Sequence, residues 1–227
     1  KDLQTGATTP CSSNAAGVQG NNNSFNAAIS QDGMYVAFDS NATDLLPAPT
    51  ANAQVFRKEL QTGAIVLCSS SAAGIEGNNN SNNPSMSSDG RYVAFHSLST
   101  DLLPAPTANR QVFRKDLMTG GIELCSSNAA GVQGNNHSFK PSVSSNGRYV
   151  AFESEASNLV TGDTNDVGDI FVYDRNAKDI QRVSISNGGI EGNGGSTDAA
   201  ISADGRYVAF VSWADNLVDF DTNRVND

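Results

Sequence analysis

The stretch MSSDGRYVAF at residues 86–95 decides the fold, because it recurs as ISQDGMYVAF at 29–38, VSSNGRYVAF at 143–152 and ISADGRYVAF at 201–210. Each copy reads as a short strand, an Asp-Gly or Asn-Gly turn, and a second strand alternating Tyr, Val, Ala and Phe. Glycine accepts positive φ without a steric penalty and Asx tolerates the left-handed region, so these pairs suit a hairpin. Within the second strand, Tyr and Ala fall on one face and Val and Phe on the other. Both faces are apolar, which requires a neighbour on each side.

Around the hairpin the chain repeats almost word for word. Residues 1–57, 58–114, 115–173 and 174–227 are four copies of a unit of about 57 residues, and the whole chain reads as one domain, 1–227. A third strand is expected at QVFRKEL (54–60), QVFRKDL (111–117) and DIFVYDR (169–175), and a fourth at AIVLCSS (64–70), GIELCSS (121–127) and IQRVSIS (180–186). Four antiparallel strands per repeat, stacked in series, is the pattern of a β-propeller blade, so the fold class is all-β. The segments 1–3 and 7–13 match the end of a third strand and a fourth strand. They are expected to complete the C-terminal blade and close the ring, or two copies are expected to complete each other. An open arc would leave large apolar blade faces bare.

The phrase SxDGRYVAF, followed by DIFVYDR and a polar turn, resembles the TolB-type, WD40-like (PD40) propeller repeat. The resemblance covers essentially the whole chain. It implies an extracellular or periplasmic binding or structural module, non-enzymatic, with a protein or glycan partner. The family also supplies accessory domains to larger exported hydrolases, so the fold leaves activity open.

Composition narrows the partners. A net charge of −10, from 24 acidic and 14 basic residues, excludes the clustered cations that nucleic acid needs. No run approaches the roughly 20 apolar residues of a membrane span. The chain opens at Lys1, neither an initiator Met nor a leader, as expected of a trimmed or partial product. Cys11, Cys68 and Cys125 recur every 57 residues (68 − 11 and 125 − 68), as repeat echoes in a strand and not a metal cluster; Ser184 reads as their fourth counterpart.

Two groups of residues point to binding. The loops NLVTGDTNDVGD and NLVDFDTNRVND place Asp163, Asn165 and Asp169, and then Asp221, Asn223 and Asp227, at spacings that suit the oxygen ligands of Ca²⁺. The same residue types also stabilise turns with no metal, and the match to an EF-hand loop is poor. A calcium-dependent carbohydrate-binding propeller is the alternative function that these loops raise. The second group is the Asn-rich connection between units, with Asn22, Asn79 and Asn136, joined by Trp213 as a stacking surface for a sugar or peptide. The first three also head Asn-x-Ser sequons, as Asn41 heads Asn-Ala-Thr. Catalysis finds no support: His96 and His137 read as variable surface substitutions, and there is no G-x-S-x-G elbow.

Overall fold

The computed structural model describes residues 1–219 and contains strands and turns only. Three complete blades follow one another. The first is β1 (Ser24–Ile29), β2 (Tyr35–Ser40), β3 (Gln54–Glu59) and β4 (Ile65–Leu67). The second is β5 (Ser81–Met86), β6 (Tyr92–Ser97), β7 (Gln111–Asp116) and β8 (Ile122–Leu124), and the third is β9 (Ser138–Val143), β10 (Tyr149–Ser154), β11 (Asp169–Asp174) and β12 (Asp179–Arg182). A two-stranded sheet, β13 (Ser196–Ile201) with β14 (Val208–Ser212), begins a fourth. Every sheet is antiparallel with its strands in sequence order. The hairpin therefore opens each blade, whereas the sequence repeats counted from Lys1 begin inside the third strand.

The first three hairpin turns are five-residue connections and the fourth has six, all wider than a two-residue turn. Ser30 Oγ donates to Asp32 Oδ1 at 2.6 Å and accepts the Tyr35 N–H at 2.9 Å, while Gly33 takes φ 71°. The same set recurs at Ser87, Asp89 and Tyr92, and at Ser202, Asp204 and Tyr207. The fourth strand is shorter than expected. Ser69 Oγ accepts the Val55 N–H at 2.9 Å and donates to Gln54, bending the chain away after Leu67.

The core lies between blades. Ala37, Val55 and Cys68 of the first blade pack against Val93, Phe95 and Phe113 of the second. Ala94, Val112 and Cys125 do the same against Val150, Phe152 and Phe171 of the third. Tyr and Ala thus face the following blade and Val and Phe the preceding one, which confirms the alternation. All three cysteines are free thiols, and burial pushes Cys68 up to about 12. The fourth counterpart of the cysteines is Val183. Ser184 instead matches Ser69 and Ser126, since each of these hydroxyls accepts the N–H of the third strand's second residue.

The expected closure of the ring by the N-terminal segment is not seen among the described residues. Residues 1–23 form no sheet with β13–β14 and are anchored on the first blade, where Lys58 Nζ donates to the carbonyls of Ser13 and Asn14 at 3.0 and 2.8 Å. Lys115 holds the Ser70 and Ser71 carbonyls in the same way. The N-terminal segment therefore lies where the outermost strand of a preceding blade would lie, and among the described residues the sheets form an open arc.

Candidate functional site

Each inner strand carries a β-bulge, seen as a register shift between Phe25 and Ala28, Asn82 and Ser85, Phe139 and Ser142 (opposite Glu153 and Ala151), and Thr197 and Ala200. The bulged residues are Asn26, Asn83, Lys140 and Asp198, all at positive φ of 51°, 53°, 44° and 56°. Asn and Asp enter the left-handed region readily; Lys140 does so at a cost on the order of 1 kcal/mol. The bulges turn these four side chains onto a shallow polar cavity of about 360 Å³ at the inner edge of the arc. Bulges of this kind re-aim a side chain and gather at binding sites.

A polar circuit holds the bulges. The residue that follows YVAF in one blade accepts from the bulge of the next. Asp39 Oδ1 accepts the Asn83 N–H at 3.0 Å and the Asn26 amide at 2.9 Å, and Asn26 also donates to Asn83 Oδ1 at 2.9 Å. His96 Nδ1 accepts the Lys140 N–H at 3.3 Å. Lys140 Nζ donates to Asp198 Oδ1 at 2.8 Å and lies 3.9 Å from Glu153, which accepts the Thr197 hydroxyl at 2.6 Å. The mouth therefore presents amides on one side and an exposed Lys–Asp pair on the other.

Both histidines belong to this region, contrary to their reading as surface variation. His96 is 8% exposed, and burial, aided by the nearby Arg110 charge, lowers it to about 4, leaving a neutral ring that accepts a hydrogen bond. His96 and His137 flank Phe139, at centroid distances of 6.3 and 6.0 Å, and the Arg110 guanidinium sits 5.0 Å over the same ring. His137 Nδ1 accepts the Arg110 N–H at 2.9 Å. The signal available in the sequence was that His96, Arg110 and His137 each differ from all their counterparts in the other repeats and meet at one blade seam.

The acidic loop of the third blade is built around an arginine. Arg182 Nη1 donates to Asp163 Oδ1 at 3.0 Å, Asp169 Oδ2 at 3.2 Å and Glu191 Oε2 at 2.9 Å. Asn165 donates to Asp169 at 3.1 Å and to the Gly192 carbonyl at 2.8 Å. A divalent cation would have to displace a guanidinium that is 9% exposed, so Asp163, Asn165 and Asp169 as arranged do not fit Ca²⁺. No group of three or more His, Cys, Asp or Glu among the described residues could hold a metal ion. Asp221, Asn223 and Asp227 lie outside the described residues. In the first two blades, Gln54 and Gln111 stand where Asp169 does, and Leu67 and Leu124 where Arg182 does, so the third blade has an acid and a base where the others have glutamine and leucine. Burial nonetheless pushes Asp163 up to about 6.

The Asn-rich loops are structural in their contacts. Asn22, Asn79 and Asn136 each accept the N–H of the next residue, at 2.8, 2.8 and 2.9 Å. Their neighbours Asn21, Asn78 and Asn135 pin the loop to Thr43, Thr100 and Ser157. The three sit on separate blades, and Asn136 alone joins another sequence-predicted residue, lining a cavity of about 360 Å³ with Asp163. Trp213 follows β14 and is 56% exposed, its backbone bonded to the Gly195 carbonyl at 2.9 Å.

No family model matches the chain, and no curated relative does. Solved structures do. TolB from Acinetobacter baumannii is 19% identical with a TM-score of 0.52, over 84% of this chain and 38% of that one. Dipeptidyl peptidase 4 from Porphyromonas gingivalis is 16% identical at 0.52, over 86% and 29%. Hydrazine synthase from Kuenenia stuttgartiensis is 13% identical at 0.51, over 83% and 29%. The chain spans well under half the length of each. With four-stranded blades in series and this likeness, the fold is that of the TolB-type β-propeller repeat.

Proposed function

We propose that this chain is a non-catalytic binding module that engages a protein partner at the polar mouth formed by Asn26, Asn83, Lys140 and Asp198. The observation that carries this reading is the convergence of four left-handed bulge residues on one open cavity, with side-chain amides, an ammonium and a carboxylate all accessible. A mouth of mixed charge that offers both donors and acceptors suits a polar peptide segment, whose backbone and side chains need both. Fold likeness to TolB, and to a peptidase that contains such a fold, is compatible with a free-standing module and with the accessory domain of a larger exported hydrolase. An extracellular or periplasmic location follows from the TolB-type reading, and no helix among the described residues could cross a membrane. The test is binding to an immobilised peptide library and a glycan array, each with and without EDTA. Peptide ligands that are retained in EDTA and lost in Lys140→Glu support the reading. Glycan binding that EDTA abolishes would contradict it and restore the calcium-dependent carbohydrate function.

A further inference from the structure

The two ends of the arc carry the two halves of the contact that joins its blades. Between the first and second blades the Tyr35 ring lies on Gly90, so closely that a Cβ built there would fall 2.4 Å from the ring. Tyr92 lies on Gly147 and Tyr149 on Gly205 in the same manner, each at 2.1 Å by the same measure. Beside this contact a backbone bond crosses each seam: Gln31 N–H to the Ser88 carbonyl, Ser88 N–H to Ser145, and Ser145 N–H to Ala203, all at 3.0 Å. The series leaves one member of each pair over. Tyr207 is 61% exposed with no glycine against it, and a Cβ at Gly33 would meet nothing within 4 Å.

The surrounding surfaces match as well. On β14 the face that looks away from the third blade exposes Ala209, whose counterparts Ala37, Ala94 and Ala151 are fully buried. At the other end Ile29 is 63% exposed, whereas its counterpart Val143 is 8% exposed. Residues 7–13 hold the position of an outermost strand, and β13–β14 is an inner pair without outer strands among the described residues. One end thus supplies an outermost strand that the other lacks among the described residues.

We propose that the arc associates head to tail with a second copy of itself, Tyr207 of one copy seating on Gly33 of the next beside Ile29, and Ala203 N–H reaching the Gln31 carbonyl. The occupant is a second copy because the interface reuses a contact that this chain already makes three times. One internal bond is not reproduced: Val211 stands where Asp39, His96 and Glu153 accept from the next bulge. Such an interface is heterologous, with different surfaces on the two partners.

Light scattering and sedimentation on the 1–227 chain across a concentration series test this. The parent is expected to exceed monomer mass as concentration rises, and Tyr207→Glu and Ile29→Lys, both exposed substitutions that leave the circular dichroism unchanged, are each expected to be monomeric. Mixed in equal amounts, the two variants retain one intact interface and should form a 1:1 dimer that grows no further. A parent that stays monomeric, variants that assemble like the parent, or variants that remain monomeric when mixed would each overturn the proposal.

Discussion

The second blade and the partial fourth contain the same five residues, RYVAF, at 91–95 and 206–210, and bury them differently. Ala94 and Phe95 are fully buried; Ala209 is exposed and Phe210 half-buried. Local sequence, strand conformation and turn chemistry are held constant between them, so the difference belongs to the neighbours alone. Ala209 looks to the side where no following blade packs among the described residues, and Phe210 faces the third blade without the third-strand phenylalanine that stacks on Phe95. The pattern YVAF therefore specifies a requirement for two neighbours but does not guarantee that both are present.

The largest effects should come from core truncation. Phe95→Ala is expected to cost about 3–5 kcal/mol in urea unfolding and Phe210→Ala about 1–2, because the half-buried ring has less contact to lose. Equal losses would mean that the fourth blade is packed like the second. A comparable effect is expected in the third blade. Arg182→Leu gives it the leucine of the first two but strands buried carboxylates, at about 3 kcal/mol. Adding Asp169→Gln restores the glutamine–leucine pair of the first two blades and should recover part of the loss, with Asp163 still unpaired, while no recovery at all would break the equivalence of Arg182–Asp169 with Leu124–Gln111.

A glycine pair isolates the blade seam. Gly147 and Gly33 have φ of 69° and 71°, so alanine brings the same backbone strain of about 1 kcal/mol at each. Only Gly147→Ala also collides with a tyrosine, and it should cost about 1–2 kcal/mol more than Gly33→Ala. The smallest effects lie in pH dependence, where two seams should oppose each other. The folded His96 lies near 4 and the unfolded near 6.5, so the unfolded chain binds more protons in that window and stability falls on acidification through it. For Asp163, at about 6 against 3.8, the folded state holds the extra proton, and stability falls as pH rises from 3.8 to 6. His96→Asn should remove the first slope and Asp163→Asn the second, as read from urea midpoints between pH 4 and 7.

Much of the fold was legible in the sequence, because a repeated hairpin with two apolar faces has few packings open to it. The polar mouth was not. Asn26, Asn83, Lys140 and Asp198 share no side-chain chemistry, and what unites them is a backbone bulge that repeat comparison does not display. Arg182 was missed for a related reason: it arrives from the fourth strand to neutralise acids in a loop that, read alone, resembles a cation site. Cys125 and Ser126 are adjacent, and aligning by residue type placed Ser184 one position away from where its hydroxyl bonds.

The most direct measurement is amide hydrogen exchange on the two RYVAF segments as a function of protein concentration. Residues 91–95 should stay protected throughout, whereas 206–210 should exchange fast in dilute solution and slow as the concentration rises and copies meet. Equal protection of both segments at the lowest concentration would show that the arc closes on itself, and would contradict this account.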